Sequence, residues 1–70
     1  MPAMSKILVN GAEREVAVDL SVAALIEELG LRPEQVAVEL NERLVPKAKR
    51  AEVLLADGDR VEVVTMVGGG

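Results

Sequence analysis

The residues best suited to chemistry stand at the C-terminus, where Met66 and Val67 run into Gly68, Gly69 and Gly70. Glycine has no side chain to pack and loses much backbone freedom when ordered, so three in a row end a fold poorly. Extended, they span about 10 Å and fit a narrow cleft. We therefore predict that the carboxylate of Gly70 is the reacting group, worked on in another protein's active site. The alternatives are a frayed terminus or a remnant of expression.

Side chains that could perform catalysis are scarce. The chain has no Cys, His or Tyr, so no side chain has an ordinary pKa near neutrality. The hydroxyl nucleophiles are Ser5, Ser21 and Thr65, and no histidine accompanies them to activate one. A Glu or Lys with a perturbed pKa remains open, but no pattern supports it. We predict that the chain is not an enzyme and has no catalytic residues of its own.

Composition also excludes several kinds of partner. Without Cys and His the commonest metal ligands are missing, and Asp57 and Asp59 around Gly58 supply too few oxygens for calcium or magnesium. A net charge of −4 argues against nucleic acid. No apolar run approaches the roughly 18 residues of a membrane span, and no signal core follows Met1. We expect a cytoplasmic protein with no metal, nucleic acid or membrane partner; a start at Met1 or at Met4 stays open.

The first elements that must position the tail form a hairpin. Residues 6–9 are Lys6 followed by three apolar residues and predict a short strand, and residues 13–18 alternate, with Val16 and Val18 on one face. Between them lies Asn10-Gly11, a strong signal for a two-residue hairpin turn.

A short helix is predicted next. Its apolar residues recur with helical spacing and form one stripe, at Val22, Leu25, Ile26 and Leu29. Asp19 and Ser21 compete as the N-cap, and Gly30 with Pro33 behind it ends the helix. Such a short helix is unstable alone, so its stripe must lie on a sheet.

The second half predicts more strands. Residues 36–40 alternate, Asn41-Glu42 turns them into residues 43–45, and residues 60–67 form the last and longest strand, inserted beside the first. Seventy residues make one domain, with the helix covering one face of a mixed sheet. A local basic cluster is predicted to be a solvated loop, and the alternative is contact with the acidic surface of a partner. The cluster consists of Arg43, Lys47, Lys49 and Arg50.

The last strand also predicts a docking surface. If Val61 and Val63 face the helix, then Val64 and Met66 lie on the opposite, open face, and Leu8 joins them. Exposed apolar residues near a functional tail indicate a partner-docking patch. The alternative is scattered surface hydrophobics, which are common on soluble proteins.

Element order, length and terminal glycines together resemble the ubiquitin-like β-grasp fold, an α+β class with a mixed four- to five-stranded sheet and one helix packed on one face. Nearly the whole chain from Met4 onward is similar to the ThiS family, the bacterial sulfur carriers of thiamine biosynthesis. The segments that carry this resemblance are residues 7–11, 21–25, 38–46, 57–63 and 67–70.

The resemblance implies a β-grasp domain over residues 1–67 and a flexible tail over residues 68–70. It implies that an E1-like adenylating enzyme of the ThiF type uses ATP to activate Gly70, which becomes a thiocarboxylate. The sulfur comes from a donor such as a cysteine desulfurase system. It passes to thiazole synthase of the ThiG type for thiazole formation. No cofactor would be bound by the chain itself.

Other destinations remain open at this point. The small subunit of molybdopterin synthase and carriers for tRNA thiolation or cysteine synthesis resemble the same fold. A conjugation modifier would join Gly70 to lysines of target proteins, and a plain β-grasp binding module would need no terminal chemistry. The sequence names neither the sulfur acceptor, the sulfur donor nor the oligomeric state.

Overall fold

A computed structural model of the chain describes residues 3–66. The sheet has five strands in the order β2-β1-β5-β3-β4 and is accompanied by one α-helix, which confirms the expected mixed sheet with a single helix. The elements are β1 Met4–Val9, β2 Ala12–Ala17, α1 Val22–Glu28, a 3₁₀ turn Pro33–Gln35, β3 Val36–Leu40, β4 Arg43–Leu44, a second 3₁₀ turn Lys47–Lys49, and β5 Arg60–Thr65.

The opening hairpin is present as predicted. Asn10 and Gly11 both have positive φ angles, 51° and 85°, the combination of a two-residue turn whose twist matches the strands it joins. β1 and β2 pair antiparallel from Met4 opposite Ala17 to Val9 opposite Ala12. The prediction that Val16 and Val18 share one face of the strand is wrong, because β2 ends at Ala17. Val16 is buried, whereas Val18 is 46% exposed and precedes Asp19, which has a φ of 66°.

Helix α1 begins at the serine rather than at the aspartate. The Ser21 hydroxyl accepts a hydrogen bond from the Ala24 N–H at 3.1 Å, which satisfies one free donor of the first turn. Gly30 stands after the helix with a φ of 74° and ends it. The predicted stripe faces inward, with Val22, Leu25 and Ile26 buried and Leu29 partly buried.

Strand β5 occupies the centre of the sheet. It runs parallel to β1, with Leu8 opposite Arg60, and antiparallel to β3, with Val36 opposite Thr65. Its predicted position beside the first strand is confirmed. Its predicted length is not, because β5 has six residues, as many as β1 and β2. Val67, the last residue of the predicted strand, lies outside the described residues.

The core between helix and sheet is wholly aliphatic. It consists of Ile7, Val16, Val22, Leu25, Ile26, Val36, Val38, Val45, Leu55, Val61 and Val63. Val61 and Val63 therefore face the helix, as predicted, and alternate residues of β5 face the other side of the sheet. That arrangement leaves the open face of the sheet, on the side away from α1, available for a site.

Candidate functional site at the end of β5

The predicted reacting residue Gly70 and its tether, Gly68 and Gly69, lie outside the described residues. What the structure locates is the base of this arm, which is β5 and the residue after it, Met66. The geometry of the site is therefore that of a strand end from which the chain continues toward the glycines.

This strand end is held from both sides. On the β3 side the Met66 N–H donates to the Gln35 carbonyl at 2.7 Å. On the β1 side the Asn10 side-chain amide binds the backbone of Val63 twice, donating to its carbonyl at 3.1 Å and accepting from its N–H at 2.8 Å. Because β1 ends at Val9, this side chain takes the place of the backbone that a longer β1 would have offered. No signal in the sequence indicates this role, since the turn alone accounts for an asparagine here.

Arg50 is the second residue that the sequence did not reveal. It is 6% exposed, and its guanidinium donates from Nη1 to the Pro33 carbonyl at 2.8 Å and from Nη2 to the Val36 carbonyl at 2.7 Å. The expected solvated loop is wrong for this residue, whereas Arg43, Lys47 and Lys49 are exposed as predicted. An arginine in a basic run is typical of a surface, so no signal in the sequence distinguished it.

Two of the predicted docking residues lie together on the open face. Val64 is 58% exposed and Met66 53%, and their positions two residues apart place both side chains on the same side. Val64 pairs with Ala37 of β3. We refer to Val64 and Met66 as the tail-end patch.

Leu8, the third predicted docking residue, lies apart from the other two. It is half-buried and pairs with Arg60, four residues before Val64, a separation of about 13 Å along the strand. Glu62 stands between them on the same face. Leu8 instead lines a shallow pocket that Arg60 and Glu62 also border. The structure thus does not join Leu8 to Val64 and Met66, and the docking role of all three remains a prediction.

The two aspartates of the predicted turn serve the backbone. The Asp57 carboxylate accepts from the Lys6 N–H at 2.8 Å, and the Asp59 carboxylate accepts from the Ala56 N–H at 2.7 Å. Gly58 between them has a φ of 88°, which confirms the turn.

Across residues 3–66 no three His, Cys, Asp or Glu side chains gather as a metal ion would require. No helix in that range has the length and apolar character needed to cross a membrane.

A family model described as the ThiS family matches residues 7–70, which is most of the fold and all three terminal glycines. The chain belongs to the ThiS family. Membership confirms the resemblance drawn from the sequence and, with it, the β-grasp fold. The crystal structure of the thiamine biosynthesis protein ThiS from Geobacter metallireducens matches with a TM-score of 0.80 and 34% identity, over 93% of this chain and 99% of that one.

The relatives of this ThiS-family chain include proteins of its own length and longer polypeptides. The sulfur carrier protein ThiS of Escherichia coli is 29% identical over 65 residues, which cover 93% of this chain and 98% of the relative. A thiazole synthase of Paramagnetospirillum magneticum is 45% identical over 65 residues. That match takes in 93% of this chain and 20% of the relative, so the chain spans about a fifth of that protein's length.

Proposed function

We propose that this chain is a sulfur carrier of thiamine biosynthesis whose Gly70 carboxylate is adenylated, converted to a thiocarboxylate and used to donate sulfur for thiazole formation. The observation that supports this most strongly is the ThiS-family match, which extends through Gly70. The match to sulfur carrier protein ThiS over almost its full length supports the same role.

The chemistry explains why the chain needs no catalytic side chain. A carboxylate is ionised and resonance-stabilised at neutral pH and accepts nucleophiles poorly. Attack of a Gly70 oxygen on the α-phosphorus of ATP releases pyrophosphate and leaves an acyl adenylate. The terminal sulfur of a donor persulfide then forms a bond to the carbonyl carbon while the bond to AMP breaks. A thiol cleaves the S–S bond of the resulting acyl disulfide, which leaves the thiocarboxylate and a second disulfide. An E1-like adenylating enzyme of the ThiF type catalyses the adenylation and the displacement of AMP, with sulfur from a donor such as a cysteine desulfurase system, in the cytoplasm where ATP is available.

The role of this chain is to present the Gly70 carboxylate to the partner enzymes. β5 lies in the middle of the sheet, and Asn10 and Gln35 hold its end by hydrogen bonds on opposite sides. The glycines beyond it lack the Cβ atoms that would obstruct a narrow adenylation channel. The tail-end patch offers apolar surface next to the base of the arm, where a partner enzyme must dock to reach it.

Thiazole synthase of the ThiG type is the proposed recipient of the sulfur. In the Paramagnetospirillum magneticum relative, a segment similar to this chain is part of a longer polypeptide named thiazole synthase. Joining two modules in one chain raises their effective concentration toward each other, which favours pairs that work together. A separate carrier would reach the same enzyme by docking.

A reconstituted sulfur transfer tests this proposal. The thiocarboxylated chain is prepared with isotopically labelled sulfur and mixed with thiazole synthase and the thiazole precursors. We expect the label to appear in the thiazole, and a chain without Gly69 and Gly70 to give none. A loaded chain that passes its label to the large subunit of molybdopterin synthase and not to the thiazole would contradict the thiamine assignment.

A further inference from the structure

Arg50 connects three separate parts of the fold. Its backbone carbonyl accepts the Ala23 N–H at 3.0 Å, in the first turn of α1. Its side chain reaches in the other direction to the carbonyls of Pro33 and Val36. Both of those bonds have a charged donor and are short, which places them among the stronger hydrogen bonds that proteins form. Among residues 3–66 no carboxylate forms a salt bridge with Arg50, so backbone carbonyls hold its charge.

The turn whose carbonyls bind Arg50 also binds Met66, at the base of the tail. Gln35 lies between Pro33 and Val36 in the sequence, and its carbonyl accepts the Met66 N–H at 2.7 Å. The Gln35 N–H donates to the Arg32 carbonyl at 2.9 Å, the hydrogen bond of a 3₁₀ turn. Because the Pro33 and Val36 carbonyls both bind the same buried guanidinium, the Gln35 carbonyl between them has a fixed direction. Arg50 therefore acts on Met66 through the turn, without touching it.

We propose that Arg50 is a positioning residue for the glycine arm, because it fixes the Pro33–Val36 turn that holds Met66. This inference rests on the proposed sulfur-carrier function. Met66 is the last described residue before the glycines, so its hydrogen bond to Gln35 fixes the point from which the arm starts. Activation requires the Gly70 carboxylate to meet the α-phosphorus of ATP in near-attack geometry, and an error of about 1 Å there slows reactions strongly.

The test compares Arg50→Met, Arg50→Lys and a control, Lys49→Met. Met fills a similar volume without donors, and Lys keeps the charge but has one nitrogen, which cannot span both carbonyls as the guanidinium does. Lys49 is the exposed neighbour in the same stretch, so its replacement removes an equal charge with no buried contact. Should the Met variant fail to fold, the Lys variant carries the comparison.

Two measurements are made on each folded variant. Amide hydrogen exchange of Met66 is compared with that of Leu25 and Val38, which report on the core. Steady-state thiocarboxylation with the adenylating enzyme gives kcat and KM. We expect both Arg50 variants to lose protection at Met66 beyond any loss at the core amides. We also expect kcat to fall by about tenfold with little change in KM, the signature of misplacement rather than weaker docking.

The proposal is overturned if Met66 exchanges no faster than the core amides predict, since Arg50 would then stabilise the fold without acting on the tail. It is overturned as well if Met66 loses protection while kcat stays at the wild-type value. Failure of the wild-type chain to become thiocarboxylated would count against the proposed function. The exchange of Met66 relative to Leu25 would still decide whether Arg50 controls the base of the arm.

Discussion

At the scale of single residues, Asn10 combines two tasks that usually need two residues. Its backbone adopts the positive φ of the hairpin turn, which asparagine tolerates better than most residues. Its side-chain amide pairs with both polar groups of the Val63 backbone. Asn10 thus forms the first hairpin turn with its backbone and holds the central strand with its side chain.

We expect Asn10→Gly to lower the free energy of unfolding by about 1–3 kcal/mol, because it removes two hydrogen bonds and keeps the left-handed turn. Asn10→Ala should cost about 1 kcal/mol more, since alanine is also strained at positive φ. Urea denaturation of both variants measures the two terms separately. A glycine variant as stable as the wild type would show that the amide bonds to Val63 contribute nothing.

The docking role predicted for the tail-end patch can be tested at Val64. We expect Val64→Asp to weaken binding to the adenylating enzyme by about tenfold or more, because a charge enters the apolar centre of an interface. Its side chain is largely exposed, so the free energy of unfolding should change by no more than about 1 kcal/mol. Titration calorimetry and thermal melts measure the two quantities.

Val18→Asp is the matched control for that variant. It makes the same substitution at an exposed valine outside the tail-end patch and should leave binding unchanged. Equal losses of affinity in the two variants would point to a general charge effect and would contradict the patch. A large loss of stability in Val64→Asp would assign Val64 to the core instead.

At the scale of elements, the two hairpin turns solve one geometric problem with different residues. Asn10-Gly11 and Asn41-Glu42 both have two consecutive positive φ angles, as this type of turn requires. Glycine takes such angles without cost, but Glu42 at 71° is strained. Glu42 gains in return an exposed ion pair with Arg60 at 3.6 Å, which is worth little in water.

Glu42→Gly should therefore raise the free energy of unfolding by up to about 1 kcal/mol, since it relieves the strained φ and gives up only a weak surface ion pair. The reverse change in the first turn, Gly11→Glu, should lower it by a similar amount. Chemical denaturation of the pair provides an internal comparison. Destabilisation by Glu42→Gly would mean that the contact with Arg60 outweighs the backbone strain.

Local signals explain which elements could be predicted from the sequence. The Asn10-Gly11 turn, the Ser21-capped helix and its apolar stripe each depend on residues a few positions apart, and the structure confirms them. The alternating pattern extends to Val18, one residue past the end of β2, so it does not show where the strand ends. Leu8 was assigned to the right face, but its distance from Val64 depends on the register of β1 against β5, which no local pattern contains.

Long-range contacts explain the remaining gaps at the candidate site. Arg50 reaches backbone carbonyls 14 and 17 residues away, and Asn10 reaches Val63 across 53 residues. Such contacts exist only once the fold has formed, so composition and periodicity cannot reveal them. For Gly68, Gly69 and Gly70 the situation is the opposite. The sequence and the ThiS resemblance predict their role, and they lie outside the described residues.

At the scale of the whole molecule, the fold separates stability from chemistry. An aliphatic core without a single aromatic residue supports the sheet, and a domain of this size has little stability to spare. Under the proposed function the reacting group belongs to the backbone after β5, so the core needs no polar catalytic side chains, which burial would penalise. We therefore expect the chain to keep its fold while partner enzymes modify Gly70.

The proposed sulfur chemistry requires a free carboxylate on Gly70. Two semisynthetic forms of the chain, one with a free C-terminus and one amidated at Gly70, are incubated with ATP, the adenylating enzyme and the sulfur donor. Escherichia coli ThiS serves as a positive control. Intact mass spectrometry should show the free form gaining the mass difference between sulfur and oxygen, located at Gly70 by fragmentation, and the amidated form unchanged. An unchanged mass in the free form, or a sulfur gain in the amidated form, would contradict the account.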